Sequence, residues 1–100
     1  MIKVEVYQKN RQINKLIVKG HANYDSYGKD IVCAGVSVLT FTIANKLIEI
    51  SNNEIVEVNN QFIFNITDNN EFVTLLLDTL INGLKSIEEQ YPKNIKIVEV

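Results

Sequence analysis

The sequence predicts an α+β fold: a single two-layer domain in the order β-β-α-β-β-α-β, with two helices against a mixed, mostly antiparallel sheet. Short stretches that alternate apolar and polar residues occur in two pairs and once more near the C-terminal end, and this alternation is typical of half-buried strands. Two longer stretches carry apolar residues at steps of three and four, which is typical of amphipathic helices. Because each helix has one apolar side, both are expected to cover the sheet or each other.

The first strand pair lies before residue 20. Residues 2–8 place Ile2, Val4 and Val6 on one side, which predicts a strand. The polar residues 8–12 predict a turn, and residues 13–19 predict a second strand that forms a hairpin with the first. Gly20 closes the hairpin, and residues 21–29 have no apolar period and are expected to form a loop.

The first helix is expected to begin after Asp30. A short carboxylate at that position can accept hydrogen bonds from the free amides of the first turn. The sequence Ser51-Asn52-Asn53 ends the helix. Its apolar stripe recurs at steps of three and four: Val32, Val36, Leu39, Ile43, Leu47 and Ile50.

The second half of the chain repeats the pattern of a hairpin followed by a helix. Strands are predicted around residues 56–58 and 62–66, with the turn at Asn59-Asn60, because Asn tolerates positive φ. Asp68, with Glu71 three residues later, predicts a capping box that opens the second helix. Pro92 ends this helix, and residues 94–99 predict a last strand. The stripe of the second helix is predicted as Phe72, Leu76, Leu80, Gly83, Ile87 and Tyr91.

Composition excludes several classes of function. The 100 residues include 10 basic and 12 acidic ones, so no basic surface for nucleic acid is expected. The longest apolar run, residues 35–44, is interrupted by Ser and Thr and is too short to cross a bilayer. A phosphate-binding loop with the pattern G-x-x-x-x-G-K is absent, and one cysteine cannot form an internal disulfide. No signal peptide is expected, which makes the cytoplasm the expected compartment.

Cys33 is the only cysteine, and its position favours reactivity. If Asp30 caps the helix, Cys33 lies in the first turn, where free N–H groups and the helix dipole favour a thiolate. Gly35 and the small residues on the same side of the helix leave room for a substrate. The N–H groups of Cys33 and Ala34 are candidate donors to an oxyanion. The alternative is a free cysteine packed as a small apolar residue.

His21 is the only histidine and is the candidate general base for Cys33. Asp30 is a candidate orienter of the imidazole, and Asp25 competes for that role because it is nearer in sequence. Tyr24 and Tyr27 are expected to grip a peptide or to close a lid over the site. One Cys and one His cannot complete a structural zinc site, so no metal and no cofactor are expected.

Two segments carry a resemblance to a known family. The chain reads GHA at Gly20–Ala22 and YGKDIVCAGVS at Tyr27–Ser37. This combination closely resembles the signature of the ribosomal-processing cysteine proteases, the bacterial Prp family, in which a GHA triplet precedes a loop and a D-I-V-C-A-x-x-S helix start. The resemblance extends over the whole chain and implies a single protease domain at residues 1–100.

The resemblance also implies an activity. Members of the family are homodimers that remove a short N-terminal extension from large-subunit ribosomal protein twenty-seven, cutting after an aromatic stretch that ends in Phe. The catalytic histidine, cysteine and aspartate of the family fall on His21, Cys33 and Asp30, and residues 22–29 would form a mobile cover. Asn23 departs from the acidic or Gly residue common after the GHA triplet, which affects only local loop contacts. The substrate and oxyanion contacts are expected at Ala34, Gly35, Ser37, Tyr24, Tyr27 and Gly28.

Two other functions remain open from the sequence. A non-catalytic ribosome-associated binding module would contain a merely packed Cys33. A thiol redox sensor would also need a reactive cysteine but would cut no peptide. The rate at which iodoacetamide labels Cys33 separates the first alternative from the protease, and peptide cleavage separates the second.

Overall fold

A computed structural model describes residues 1–26 and 28–100. It contains the predicted element order and matches the predicted two-layer architecture. The elements are β1 (Ile2–Lys9), β2 (Gln12–Lys19), α1 (Ile31–Ile50), β3 (Glu54–Val58), β4 (Gln61–Asn65), α2 (Glu71–Gln90) and β5 (Ile95–Glu99).

The five strands form one mixed sheet in the order β3-β4-β2-β1-β5. Three of the four strand pairs are antiparallel, and β1 pairs with β5 in parallel. Val18 of β2 lies opposite Val4 of β1 on one side and opposite Phe62 of β4 on the other. This register brings the apolar residues of the central strands onto one face of the sheet, as the alternation predicts.

Both hairpins close with two-residue turns. Asn10 and Arg11 have φ values of 53° and 65°, and Asn59 and Asn60 have φ values of 51° and 62°. Positive φ at both central residues is the geometry of the turn that matches the twist of paired strands. Three of these four positions are Asn, which adopts this conformation at a lower cost than most residues.

The core lies between the two helices and one face of the sheet. The alternate residues Ile2, Val4 and Val6 of β1 are buried, as are Leu16 of β2 and Phe64 of β4. From the helix side, α1 buries residues spaced three or four apart. They are Val32, Val36, Thr40, Ile43, Ala44 and Leu47. Leu39 of the predicted stripe is half-buried against α2, and Ile50 is exposed.

The predicted face of α2 is correct in part. Leu80 is buried as predicted, and Leu76, Ile87 and Tyr91 are partly buried against the core. The other buried side chains are Val73, Leu77 and Leu84, whereas Phe72 is 62% exposed. Residues 72–77 include five apolar side chains, so the apolar arc is wide enough to fit two adjacent stripes. Contact with the sheet and with α1 determines which of the two stripes is buried.

The predicted cap of α2 is wrong. Asn70 is the N-cap, and its side chain accepts hydrogen bonds from the N–H groups of Phe72 and Val73 at 2.9 and 3.0 Å. Asp68 instead accepts from the N–H of Asn52 at 2.8 Å. Asn53 completes this junction, because its buried side chain bonds the backbone of residues 67 and 68. Asp68 therefore joins the end of α1 to the start of α2 rather than opening the second helix.

α1 is strongly apolar over its whole length. By length and composition the helix could cross a membrane, contrary to the expectation from its Ser and Thr residues. A core helix has the same composition, because it is apolar on the side that faces the sheet. The buried positions of α1 belong to the core and the helix packs mainly on α2, whereas Ile31, Val38 and Ile48 are exposed.

Candidate active site

Asp30 positions the start of α1. Its Oδ1 accepts hydrogen bonds from the N–H groups of Val32 and Cys33, both at 3.0 Å, so Asp30 is the N-cap of the helix. Its Oδ2 accepts from Tyr24 N–H at 2.9 Å and from Asp25 N–H at 3.3 Å. One carboxylate therefore holds both the first turn of α1 and the loop that precedes it.

These contacts also set the charge state of Asp30. Burial is the largest single influence and raises the pKa of this carboxyl group. Hydrogen bonds from four backbone N–H groups together outweigh burial, and they hold the pKa below its ordinary value of 3.8. Asp30 is therefore an anion at neutral pH whose described partners are backbone donors. Its role as orienter of His21 stays a prediction, as does that of Asp25, whose Oδ1 accepts from Ser26 N–H at 2.7 Å.

Cys33 lies at the edge of the core. Its side chain is half-buried and packs against the core cluster. The N–H of Ala22 donates a hydrogen bond to Cys33 Sγ at 3.3 Å. Ala22 directly follows His21, so the segment that carries the imidazole touches the sulfur. A backbone donor at this distance stabilises a thiolate more than a thiol.

The turn that brings this segment to α1 depends on Gly20. Gly20 has φ of +92°, a conformation that residues with a side chain rarely adopt. A Cβ there would lie 2.5 Å from the carbonyl oxygen of Met1. The chain can therefore pass close to the start of β1 and bring His21 to the N-terminal end of α1.

A cleft of ≈ 670 Å³ contains both candidate catalytic residues. His21 and Cys33 line it together, and His21 is exposed to solvent. This volume is in the range of ligand-binding pockets. A thiol and an imidazole that share a cleft can perform nucleophilic acyl transfer. Other sequence-predicted residues on its wall are Asp25, Gly28, Asp30, Ala34 and Ser37.

Some predicted contacts lie elsewhere. A Cβ at Gly35 would meet Ile87 Cδ1 at 3.5 Å, so this position faces α2 and not the cleft. The ring of Tyr24 packs edge-on against Tyr91, with centroids 5.2 Å apart. Gly35 therefore serves helix packing, and Tyr24 anchors the loop to the end of α2. Tyr27 lies outside the described residues.

The predicted oxyanion donors are already engaged. The N–H of Cys33 donates to Asp30 Oδ1 and the N–H of Ala34 donates to the Asp30 carbonyl oxygen, both at 3.0 Å. The prediction ignored that an effective N-cap uses the first amides of a helix. These two groups are therefore not free to receive an oxyanion, and Ala34 contributes its side chain to the cleft instead.

Part of the cleft lining was not found from the sequence. Phe62 of β4 and Phe41 of α1 meet edge to face with centroids 4.8 Å apart, and both line the cleft. Glu57 and Asn60 add polar groups from the second hairpin. The alternation in β4 indicated that Phe62 and Phe64 share a face, but the order of strands was needed to bring that face to Cys33.

Proteins of known function resemble this chain in sequence and in fold. The family model for cysteine protease Prp matches residues 1–96. The ribosomal processing cysteine protease Prp of Staphylococcus aureus (strain Mu50) is 34% identical in an alignment of 92 positions, and the alignment covers 86% of each chain.

Two crystal structures of the essential ribosomal processing protease Prp from S. aureus resemble the fold over the full length of both chains. The complex with a covalently linked product peptide has a TM-score of 0.93 and 31% identity. The complex with a substrate peptide has a TM-score of 0.86 and 30% identity. With the shared cleft of the single cysteine and the single histidine, these matches show that the chain is a cysteine protease and belongs to the bacterial ribosomal-processing family Prp.

Proposed function

We propose that this chain is an endopeptidase in which Cys33 is the nucleophile and His21 is the general base. The observation that carries the proposal is that the two side chains line one cleft, in which the residue after His21 donates its N–H to Cys33 Sγ. The helix dipole adds a second influence that favours the thiolate, because Cys33 lies in the first turn of α1. A half-buried sulfur at an open cleft can be reached by a peptide.

The reaction follows from these two groups. His21 takes the proton of the Cys33 thiol, the resulting thiolate attacks the scissile carbonyl carbon, and a C–S bond forms as the carbonyl electrons move to oxygen. The C–N bond then breaks, and protonated His21 gives its proton to the leaving amine. Water next attacks the acyl-enzyme while His21 takes one of its protons. The C–S bond breaks, and the acid product and the thiolate are released. The cycle needs no metal or cofactor.

The proposed substrate is the N-terminal extension of large-subunit ribosomal protein twenty-seven. The S. aureus relative is named a ribosomal processing protease and was crystallised with a substrate peptide, which supports a peptide of ribosomal origin. The aromatic pair Phe41 and Phe62 on the cleft wall suits an apolar stretch beside the cut. We further propose that residues 1–100 act as one domain, as a homodimer in the cytoplasm.

Three predicted contact residues on the cleft wall remain candidates for substrate binding. Ala34 and Ser37 are exposed on the side of α1 that continues from Cys33, and Gly28 lies in the loop opposite. Small side chains here let a peptide backbone approach the sulfur closely. We propose that these residues contact the substrate on either side of the scissile bond.

The test is cleavage of a peptide that spans the ribosomal extension. Wild type is expected to cut it at one bond, whereas Cys33→Ala and His21→Ala keep the fold and lose at least about 10³-fold in kcat/KM. Asn23→Ala is the matched control, because Asn23 also lines the cleft, in the same loop, but has no proposed chemical role. Retained cleavage by Cys33→Ala would overturn the proposal. Rapid alkylation of wild-type Cys33 without any cleavage would favour a redox sensor instead.

A further inference from the structure

Ala22 is held from two sides. Its N–H donates to Cys33 Sγ at 3.3 Å, and its carbonyl oxygen accepts a hydrogen bond from Asn94 Nδ2 at 2.9 Å. Its side chain is 1% exposed. The contact with Asn94 crosses 72 residues of sequence and joins the site to the turn between α2 and β5.

Two backbone hydrogen bonds hold Asn94 in place. Its N–H donates to the carbonyl oxygen of Tyr91 at 2.9 Å, and its own carbonyl oxygen accepts from Ile2 N–H at 2.9 Å. The residue therefore sits where the end of α2 meets the start of β1, and its side chain is half-buried. Because the backbone of Asn94 is held in place, its side chain can position the segment to which it is hydrogen-bonded.

The segment that it bonds has little support of its own. Residues 21–26 belong to no helix or strand, and Asn23 has φ of 54°. Asp30 holds the far end of this segment through Tyr24 and Asp25. At the near end, Asn94 is the side chain that bonds the carbonyl oxygen of Ala22. Loss of that bond would leave the peptide group between Ala22 and Asn23 without this anchor.

We propose that Asn94 is a positioning residue for the protease reaction, because its amide orients the Ala22 backbone so that the Ala22 N–H points at the Cys33 sulfur. This inference rests on the proposed function, in which Cys33 is the nucleophile. A hydrogen bond to a charged acceptor is stronger than one to its neutral form, so a well-aimed N–H raises the thiolate fraction. Asn94 touches neither the sulfur nor the cleft, and it acts through Ala22.

The test measures the rate of Cys33 alkylation by iodoacetamide as a function of pH. Since the chain has one cysteine, every alkylation event reports on this sulfur. In Asn94→Ala the midpoint of the profile is expected to rise, and kcat at pH 7 to fall up to about tenfold with KM unchanged. Asn94→Gln, which keeps an amide donor, is expected to return most of the shift.

Two further variants serve as controls. Tyr91→Phe changes the same turn but keeps the ring that packs on Tyr24, and it is expected to leave the profile unchanged. Asn94→Leu has nearly the same shape, carries no charge and cannot donate to a carbonyl, so it should shift the profile as Asn94→Ala does. It also serves if Asn94→Ala does not fold. The other titratable and charged groups on the cleft stay constant across the set: Lys19, His21, Asp25, Asp30 and Glu57.

The outcomes separate this inference from the proposed function. If Asn94→Ala lowers the melting temperature but keeps the wild-type midpoint, Asn94 is only structural and the inference is overturned. That result leaves the protease intact as long as wild type cuts the peptide and Cys33→Ala does not. If Cys33→Ala still cuts, the proposed function is wrong, whatever the alkylation profiles are.

Discussion

The backbone N–H of Cys33 donates a hydrogen bond to Oδ1 of Asp30 at 3.0 Å, so the cap of α1 is bonded directly to the residue that carries the candidate nucleophile. The second oxygen of Asp30 holds the backbone of Tyr24 and Asp25. The relative position of the loop and the helix therefore depends on one carboxylate. A change in its charge is expected to affect both elements.

Asp30→Asn is expected to be less stable than wild type at neutral pH, because an amide keeps one acceptor oxygen and loses the second. The pKa of Asp30 is lower in the folded protein than its ordinary value of 3.8. The stabilisation by the carboxylate is therefore present above pH 3.8 and is lost as the pH falls through the lower folded value. Urea unfolding of both proteins between pH 7 and pH 2.5 checks this. A difference in unfolding free energy that stays constant down to pH 2.5 would contradict it.

Gly20→Ala is expected to destabilise the fold more than Gly28→Ala does. Both glycines have positive φ, at 92° and 85°, so Ala pays a similar conformational cost of about 1–2 kcal/mol at each. At Gly20 the new Cβ would also lie 2.5 Å from the backbone oxygen of Met1, whereas among the described residues nothing lies within 4 Å of a Cβ at Gly28.

The clash at Gly20 is expected to add about 1–3 kcal/mol of destabilisation. The difference between the two variants in urea unfolding isolates this term, because the conformational strain nearly cancels. Equal losses of stability in the two variants would mean that the start of β1 moves away at little cost.

Local patterns were enough to predict most of this fold. The alternation in residues 2–8, the Asn59-Asn60 turn and the Asp30 cap each depend on neighbours in sequence, and each matches the structure. The cap of α2 was mistaken because Asp68 fits the capping pattern as well as Asn70 does. The structure distinguishes them, because Asn70 accepts from the first amides of α2 while Asp68 bonds Asn52.

The site was predicted less completely than the fold. Cys33 and His21 were found because each is the only residue of its kind and both flank one loop. Phe62 and Asn94 reach the site through strand pairing and through the turn after α2, which join segments far apart in sequence. No periodicity within one segment carries that information.

Gly35→Ala is expected to stabilise the protein by about 0.5–1 kcal/mol and to leave peptide cleavage unchanged. Ala is preferred over Gly inside a helix, and the new Cβ would make ordinary contact with Ile87 Cδ1 at 3.5 Å, away from the cleft. Gly83→Ala is the matched comparison in α2. Its Cβ would lie 2.9 Å from Leu39 Cδ1, so a repacking cost offsets the helical gain.

Thermal unfolding and kcat/KM of both variants measure these effects. A loss of cleavage in Gly35→Ala, with its stability raised, would show that the bare backbone at residue 35 is needed by the substrate.

Thr40→Val is expected to raise the free energy of unfolding by about 1 kcal/mol. Thr40 is 1% exposed, and within residues 1–26 and 28–100 its Oγ1 is a buried side-chain atom without a hydrogen-bond partner. Val has nearly the same shape and removes the unpaired hydroxyl group.

Thr40→Ser is the control. It keeps the hydroxyl and loses a methyl group, so it is expected to be less stable than wild type by about 1 kcal/mol. Because so little of Thr40 reaches the surface of the cleft, kcat/KM should stay at the wild-type value in Thr40→Val. A less stable Thr40→Val would mean that the hydroxyl has a partner in solution.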